Sequence, residues 1–87
     1  SDETLKTNIR PMNGSLEKVQ QLQAVRYNWI KEGNEGIGFL AQDVQSILPE
    51  VVHGEEGDMS ISYGKLTTIL VEAVKDLAAQ VEALKNN

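Results

Sequence analysis

The 87-residue chain has no cysteine and a single histidine, His53. Without cysteine the chain can form no disulfide bond and no thiolate metal site, and one histidine is too few for a typical zinc site. We therefore expect no metal and no other cofactor.

Long apolar runs and clusters of basic residues are also missing. No run approaches the roughly 20 apolar residues that span a bilayer, and no signal-peptide pattern opens the sequence. The formal net charge is −5, and residues 34–87 hold nine acidic but only three basic side chains. Because nucleic acids and anionic membranes are bound through clustered lysine and arginine, we expect a soluble chain that binds neither. The length predicts one small domain.

The hydrophobic pattern of the first half predicts a mixture of helices and strands. Apolar residues recur every three positions over residues 15–23, which favours a helix, and alternate with polar ones over residues 24–30, which favours a strand. The only tryptophan, Trp29, lies in this strand, and we expect it to anchor the core. A polar loop then leads to a second predicted strand over residues 37–40.

The pattern of the middle of the chain predicts a short helix followed by a hairpin. Apolar residues between positions 40 and 48 share one helical face, and Pro49 ends the helix. Residues 51–52 and 59–63 are strand-like, and the acidic segment 53–58 between them predicts a solvated hairpin tip. This segment lacks the twelve-residue ligand pattern of a calcium loop. The fold class is therefore expected to be α+β.

A heptad pattern marks the C-terminal segment. Residues 66–84 contain neither glycine nor proline, and apolar residues recur in steps of four and three at Leu70, Val74, Leu77, Val81 and Leu84. Valine at a and leucine at d is typical of dimeric or trimeric coiled coils, although the stripe could instead dock on its own domain. Because residues 77–87 would extend about 15 Å, past what so small a core can cover, we expect self-association. We divide the chain into an α+β core over residues 1–66 and an oligomerisation helix over residues 67–87, within one functional domain.

The candidate chemistry lies at the start of the chain, where Lys6 follows Ser1 by five positions. A serine hydroxyl beside a lysine amine can act as nucleophile and base, provided that burial strips the amine of its proton. Alone, this pair is a weak indication, because a chain with eight basic residues places a lysine near a serine by chance.

Four motifs that follow one another along the chain strengthen this indication. They are Ser1-Asp2-x-x-Leu5-Lys6-x-Asn8-Ile9, Gly36-Ile37-Gly38-Phe39-Leu40-Ala41-Gln42-Asp43-Val44, Leu48-Pro49-Glu50-Val51-Val52 and Ser62-Tyr63-Gly64-x-Leu66. In this order they resemble the C-terminal intramolecular chaperone domain of phage endosialidases, tailspikes and tail fibres, also called the S74 peptidases. The resemblance runs from Ser1 to about Lys75. Many relatives have an arginine where Thr4 stands here.

The resemblance implies a homotrimer that guides the folding of the upstream fibre or spike domain of its own precursor, which we expect to be β-helical. It also implies a self-cleaving serine endopeptidase that acts once and in cis, with Ser1 as nucleophile, Lys6 as general base and the bond preceding Ser1 as the cleavage site. No small-molecule substrate is implied. The domain would act in the host cell cytoplasm during phage assembly and be absent from the mature virion fibre.

We expect assembly to activate the Ser1–Lys6 pair. An ordinary lysine, with a pKa near 10.4, is neutral in only about one molecule in several thousand at pH 7. Burial in a folded, assembled site would raise that fraction, so that cleavage would report completed folding. Two alternatives stay open: an uncut trimerisation foot of a fibre protein, and the same domain in a membrane-tethered transcription factor that cuts itself free.

Overall fold

The computed structural model describes residues 1–87. It has three α-helices and two separate two-stranded antiparallel sheets, preceded by an N-terminal arm, residues 1–14, in which every residue is exposed. The helices are α1 (Ser15–Val19), α2 (Ala41–Ile47) and α3 (Tyr63–Lys85). The strands are β1 (Val25–Asn28), β2 (Glu35–Gly38), β3 (Val52–His53) and β4 (Ser60–Ile61). The predicted α+β class with a long C-terminal helix is confirmed.

Helix α1 is shorter than the predicted segment 15–23 and ends at Val19. Gly14 precedes it with φ at +73°, a left-handed conformation that glycine adopts without steric cost. The amide N–H of Leu16 donates to the Asp76 carboxylate at 3.4 Å, which ties the first turn of α1 to α3. Beyond the helix, Leu22 still packs against the core. The apolar spacing therefore marked a buried face correctly, although the last predicted residues form a turn.

Strands β1 and β2 form the first hairpin, with Val25 opposite Gly38 and Tyr27 opposite Gly36. The ring of Tyr27 covers Gly36 so closely that a Cβ there would lie 2.6 Å from Tyr27 Cε1. Strand β2 begins and ends two residues earlier than predicted. Phe39 and the residue after it therefore connect the hairpin to α2.

The structure corrects the expectation for Trp29, which is 53% exposed instead of anchoring the core. Strand β1 ends at Asn28, and the backbone of Trp29 closes the hairpin loop through bonds with Asn34 (2.9 Å) and Gly33 (2.8 Å). Its ring packs edge-on against Tyr27, with centroids 5.2 Å apart. The alternating pattern correctly placed Trp29 on the same side of the hairpin as Tyr27. At the hairpin tip, however, no second layer covers that side, and Trp29 stays exposed.

The core lies between α2, the following short 3-10 helix (Pro49–Val51) and α3. Its buried cluster consists of Val44, Leu48, Val51, Leu66 and Ile69. Each such side chain contributes about 1.5–3 kcal/mol when it is fully removed from water. Helix α2 ends before Pro49 as predicted. Five core residues make a small core, as expected for a chain of this length.

Strands β3 and β4 form the second hairpin, and its acidic tip follows the predicted segment 53–58. Gly54 has φ at +86°, and the Asp58 carboxylate accepts the amide N–H of Glu55 at 2.8 Å. Nowhere in the chain do three or more histidine, aspartate or glutamate side chains gather as a metal would require. The acidic tip is thus a hydrogen-bonded turn.

Helix α3 starts at Tyr63, three residues before the predicted segment, because Ser62 caps it through a bond from the Lys65 amide at 3.3 Å. Its 23 residues extend about 34 Å. Leu66, Ile69 and Ala73 form its buried face. None of the helices combines the length and apolarity needed to cross a membrane.

Candidate functional site

A tight turn at the start of the N-terminal arm brings Lys6 back toward Ser1. Asp2 lies before a single 3-10 turn, Glu3–Leu5, and its carboxylate accepts the amide N–H of Thr4 at 2.9 Å and the Thr4 hydroxyl at 2.8 Å. Two backbone bonds complete the turn, from the Leu5 amide to the Asp2 carbonyl (3.2 Å) and from the Lys6 amide to the Glu3 carbonyl (3.1 Å). The chain becomes extended again at Lys6.

The turn places the two predicted catalytic side chains in contact, because Lys6 Nζ donates a hydrogen bond to Ser1 Oγ. A charged ammonium has three donors and no acceptor. To act as a base, Lys6 must instead accept the proton of the Ser1 hydroxyl, which requires the neutral amine. The geometry thus joins the two groups, and their chemistry depends on what removes water from them.

The Asp2 carboxylate stays charged to lower pH than an ordinary aspartate. The hydrogen bond from the Thr4 amide, followed by the bond from the Thr4 hydroxyl, lowers the pKa of Asp2 below its ordinary value of 3.8. No ion pair joins Asp2 to Lys6, since the two ion pairs of the chain lie elsewhere, at Arg26–Glu35 and Lys75–Glu72. Asp2 is therefore bonded to the turn and not to Lys6.

In a single chain the N-terminal arm is exposed to solvent along its whole length. Asn8 turns it a second time with φ at +54°, and Arg10 Nη1 donates to the Asn8 carbonyl at 2.9 Å. Leu5 is 85% exposed and Ile9 is 71% exposed, although both are apolar. One chain thus leaves the Ser1–Lys6 pair hydrated and the apolar side chains of its arm without a partner.

The predicted oligomerisation residues form an exposed stripe on α3, which we call the seam. Their exposed fractions are Leu70 38%, Val74 66%, Leu77 50%, Val81 45% and Leu84 72%. From residue 77 onward, every residue of α3 is exposed. The alternative in which this stripe docks on its own domain is therefore wrong, because that role belongs to Leu66, Ile69 and Ala73. Association of the seam with other chains stays a prediction.

The sequence pattern predicts Ser1 and Lys6 as the candidate pair, but the turn that joins them was not predicted. The signal was present, because an aspartate followed two residues later by threonine is typical of side-chain-to-backbone turns and helix caps.

Fold and site together define a small α+β module. The Ser1–Lys6 pair and the apolar seam of α3 both lie outside its core. The model of the Peptidase_S74 family, described as "chaperone of endosialidase", matches residues 1–53, and the chain belongs to this family. This match confirms the resemblance seen in the sequence motifs. It includes the whole arm and ends within the second hairpin.

Several curated proteins are similar along nearly the whole chain, including α3. The long tail fiber proteins Gp37 of Enterobacteria phages K3 and T2 are each 36% identical over 96 residues, which cover 99% of this chain. The long tail fiber protein Gp37 of Enterobacteria phage M1 is 31% identical and covers 98%. This chain spans only 8%, 7% and 38% of the length of these three proteins.

Proposed function

We propose that this chain is the C-terminal intramolecular chaperone of a phage tail fibre. It forms a homotrimer, guides the folding of the fibre domain upstream of it, and releases itself by cleavage of the bond preceding Ser1. The observation that carries the proposal is the hydrogen bond between Lys6 and Ser1, two residues that lie within the stretch that the family model matches.

The client is inferred from the relatives. The similar proteins named above are long tail fiber proteins. Those of phages K3 and T2 are more than ten times as long as the segment they share with this chain. A segment that makes up so small a share of a fibre protein is suited to act on a much longer partner. We infer that this partner is a trimeric, β-helical fibre domain of the same precursor. Such intertwined folds have high contact order, fold slowly and need their chains in register.

The proposed cleavage uses Ser1 and Lys6 in one chain. Ser1 Oγ attacks the carbonyl carbon of the preceding residue while Lys6 accepts the hydroxyl proton. The peptide C–N bond breaks, the proton passes to the leaving nitrogen, and the upstream chain is held as an ester on Ser1. One water molecule then hydrolyses the ester, which leaves a new carboxylate on the upstream chain and restores the Ser1 hydroxyl.

Trimerisation supplies both the chaperone effect and the timing of cleavage. Three seams packed together raise the local concentration of the upstream chains, which lowers the entropic cost of aligning them. The same assembly would cover the exposed arm and favour the neutral amine of the base. Cleavage then removes the module in the host cytoplasm, and the finished virion fibre is kinetically trapped without it.

The test uses a precursor that carries about one hundred upstream residues, a length on the scale of one small domain. We expect the wild type to yield this 87-residue chain as a product on a denaturing gel. Ser1→Ala should leave the precursor whole, because it removes the nucleophile and little packing. Lys6→Arg keeps the charge and most of the bulk but should also stay uncut, since a guanidinium is not deprotonated at neutral pH.

The variants separate cleavage from assembly. Both uncut precursors should sediment as trimers and retain the circular dichroism of the wild type. Normal processing of Ser1→Ala would refute the assigned nucleophile, and normal processing of Lys6→Arg would move the base to another residue. A wild-type precursor that assembles and is never cut would favour the uncut trimerisation foot.

A further inference from the structure

We propose that Asp2 and Thr4 are positioning residues, whose hydrogen bonds hold the turn that brings Lys6 to Ser1. The effect on cleavage rests on the proposed function, whereas the effect on the Lys6–Ser1 contact does not.

Distance along the chain makes a turn necessary. Five residues of extended chain span about 17 Å, which is farther than a lysine side chain reaches. The contact between Lys6 and Ser1 therefore exists only while the backbone between them is folded back. Two backbone hydrogen bonds close the 3-10 turn. The Leu5 amide donates to the Asp2 carbonyl, and the Lys6 amide donates to the Glu3 carbonyl.

No hydrogen bond joins residues 1–10 to the body of the domain, and residues 1–14 are all exposed. A single 3-10 turn is too short to be stable by its own backbone bonds. Within residues 1–6, the side-chain hydrogen bonds other than Lys6–Ser1 are the two that Asp2 accepts from Thr4. In one chain, the conformation of the site therefore depends on this pair.

The contribution of Thr4 is twofold. Its amide N–H would otherwise be one of the unpaired donors at the start of the turn, and Asp2 satisfies it at 2.9 Å. Its hydroxyl adds a second bond to the same carboxylate oxygen at 2.8 Å. Glu3 lies between the two residues and has the same charge as Asp2, but its side chain makes no hydrogen bond. Glu3 is thus a matched control.

The first experiment measures the contact without cleavage. In the 87-residue chain, an NMR cross-peak between the side-chain methylene protons of Lys6 and the β protons of Ser1 reports their proximity. We expect Asp2→Ala to weaken it and Glu3→Ala to leave it unchanged. Asp2→Asn keeps an acceptor oxygen for the Thr4 amide and should restore the cross-peak in part. A cross-peak of wild-type intensity in Asp2→Ala would overturn the proposal.

The second experiment measures cleavage of the precursor at several pH values. We expect Asp2→Ala to slow cleavage about 2- to 10-fold, the lower part of the range for a lost N-terminal cap at an exposed site. Thr4→Val should cause a smaller loss, Asp2→Asn should recover part of the rate, and Glu3→Ala should match the wild type. Sedimentation and thermal unfolding should be the same for all variants.

The pH profile separates positioning from a direct electrostatic effect. If Asp2 only positions Lys6, Asp2→Ala lowers the rate by the same factor at every pH at which the Asp2 carboxylate is ionised in the wild type. A profile shifted along the pH axis would mean that the Asp2 charge acts on the base, and would overturn the proposal. Equal losses in Asp2→Ala and Glu3→Ala would do the same. If the wild-type precursor is not cut while the cross-peak depends on Asp2 as expected, the proposed function fails and the positioning role stands.

Discussion

Ile69 and Leu70 are neighbours in α3, but their side chains belong to different faces of the helix: Ile69 is 5% exposed in the core and Leu70 is 38% exposed. Residues three and four positions apart share a helical face, so Ile69 continues a stripe with Leu66 and Ala73, while Leu70 continues one with Val74. The first stripe holds the domain together. The second is exposed in the single chain, so the two faces of α3 can be tested by separate substitutions.

The buried stripe should determine the stability of the single chain. Leu66 is 1% exposed, and Leu66→Ala should lower the free energy of unfolding by about 2–5 kcal/mol, as large-to-small substitutions in a core do. Leu77→Ala makes the same chemical change on the seam. Chemical denaturation at several protein concentrations should show a loss at every concentration for Leu66→Ala, but only where chains associate for Leu77→Ala. Identical behaviour of the two variants would contradict the division of α3 into two faces.

The seam should determine association. We expect sedimentation equilibrium to give the wild type a mass about three times its 9.6 kDa. Leu77→Asp combined with Val81→Asp should give a monomer, because unpaired charges would lie where neighbouring helices meet. Ala79→Asp combined with Ala83→Asp adds the same two charges at the same spacing, outside the seam, and should remain associated. A wild type that is monomeric at micromolar concentrations would refute the predicted trimer.

Two glycines should respond to alanine in opposite directions. Gly54 has φ at +86°, and a Cβ there would lie 2.9 Å from the Asp58 carbonyl oxygen, so Gly54→Ala should destabilise the second hairpin by about 1–2 kcal/mol. Gly64 lies in the first turn of α3 with open space around it, and Gly64→Ala should stabilise the chain by about 0.5–1 kcal/mol. Thermal unfolding would measure both shifts. A shift of the same sign in both variants would count against this account.

The sequence allowed prediction of those features that a repeated pattern encodes. The seam recurs over several helical turns, so the stripe could be predicted from its spacing, and the length of residues 77–87 indicated that the small core could not cover it. Helix α2 could be bounded because Pro49 cannot continue it. In both cases the deciding information lies within the segment itself.

Features that depend on a neighbouring layer or on a cap could not be foreseen from periodicity. Alternation in β1 could not reveal that Trp29 lies beyond the last paired residue, where nothing covers it. Helix α3 begins at Tyr63 because Ser62 caps it, not because of its apolar spacing. The contact between Lys6 and Ser1 likewise depends on a short-range turn, which hydrophobic patterns do not report.

The Asp2 turn should leave a signature in titration. Its hydrogen bonds with Thr4 lower the pKa of Asp2 below 3.8, so the contribution of this carboxylate to the turn is present above pH 3.8 and is lost as the pH falls through the lowered value. NMR titration of the Asp2 carboxyl carbon would measure this. Thr4→Val removes the hydroxyl bond and keeps the stronger influence of the backbone bond, so the pKa should rise part of the way back. An unchanged pKa in Thr4→Val would exclude the hydroxyl as a cause.

The final prediction joins the seam to the Ser1–Lys6 pair, although they lie far apart in sequence. If Lys6 loses its proton only where assembly covers the arm, the seam variant with Leu77→Asp and Val81→Asp should leave the pair hydrated and cleave its precursor far more slowly near pH 7. Raising the pH should recover part of the rate, because it supplies neutral amine without burial.

The recovery should be incomplete, because high pH does not restore the geometry of attack that an assembled site holds. The matched variant with Ala79→Asp and Ala83→Asp should cleave like the wild type, which separates assembly from added charge. The decisive comparison pairs sedimentation with a cleavage time course on the same precursor. If the seam variant is monomeric and still cuts at the wild-type rate near pH 7, one chain completes the site by itself. Trimerisation and proteolysis would then be independent functions, and cleavage could not serve as a report of assembly.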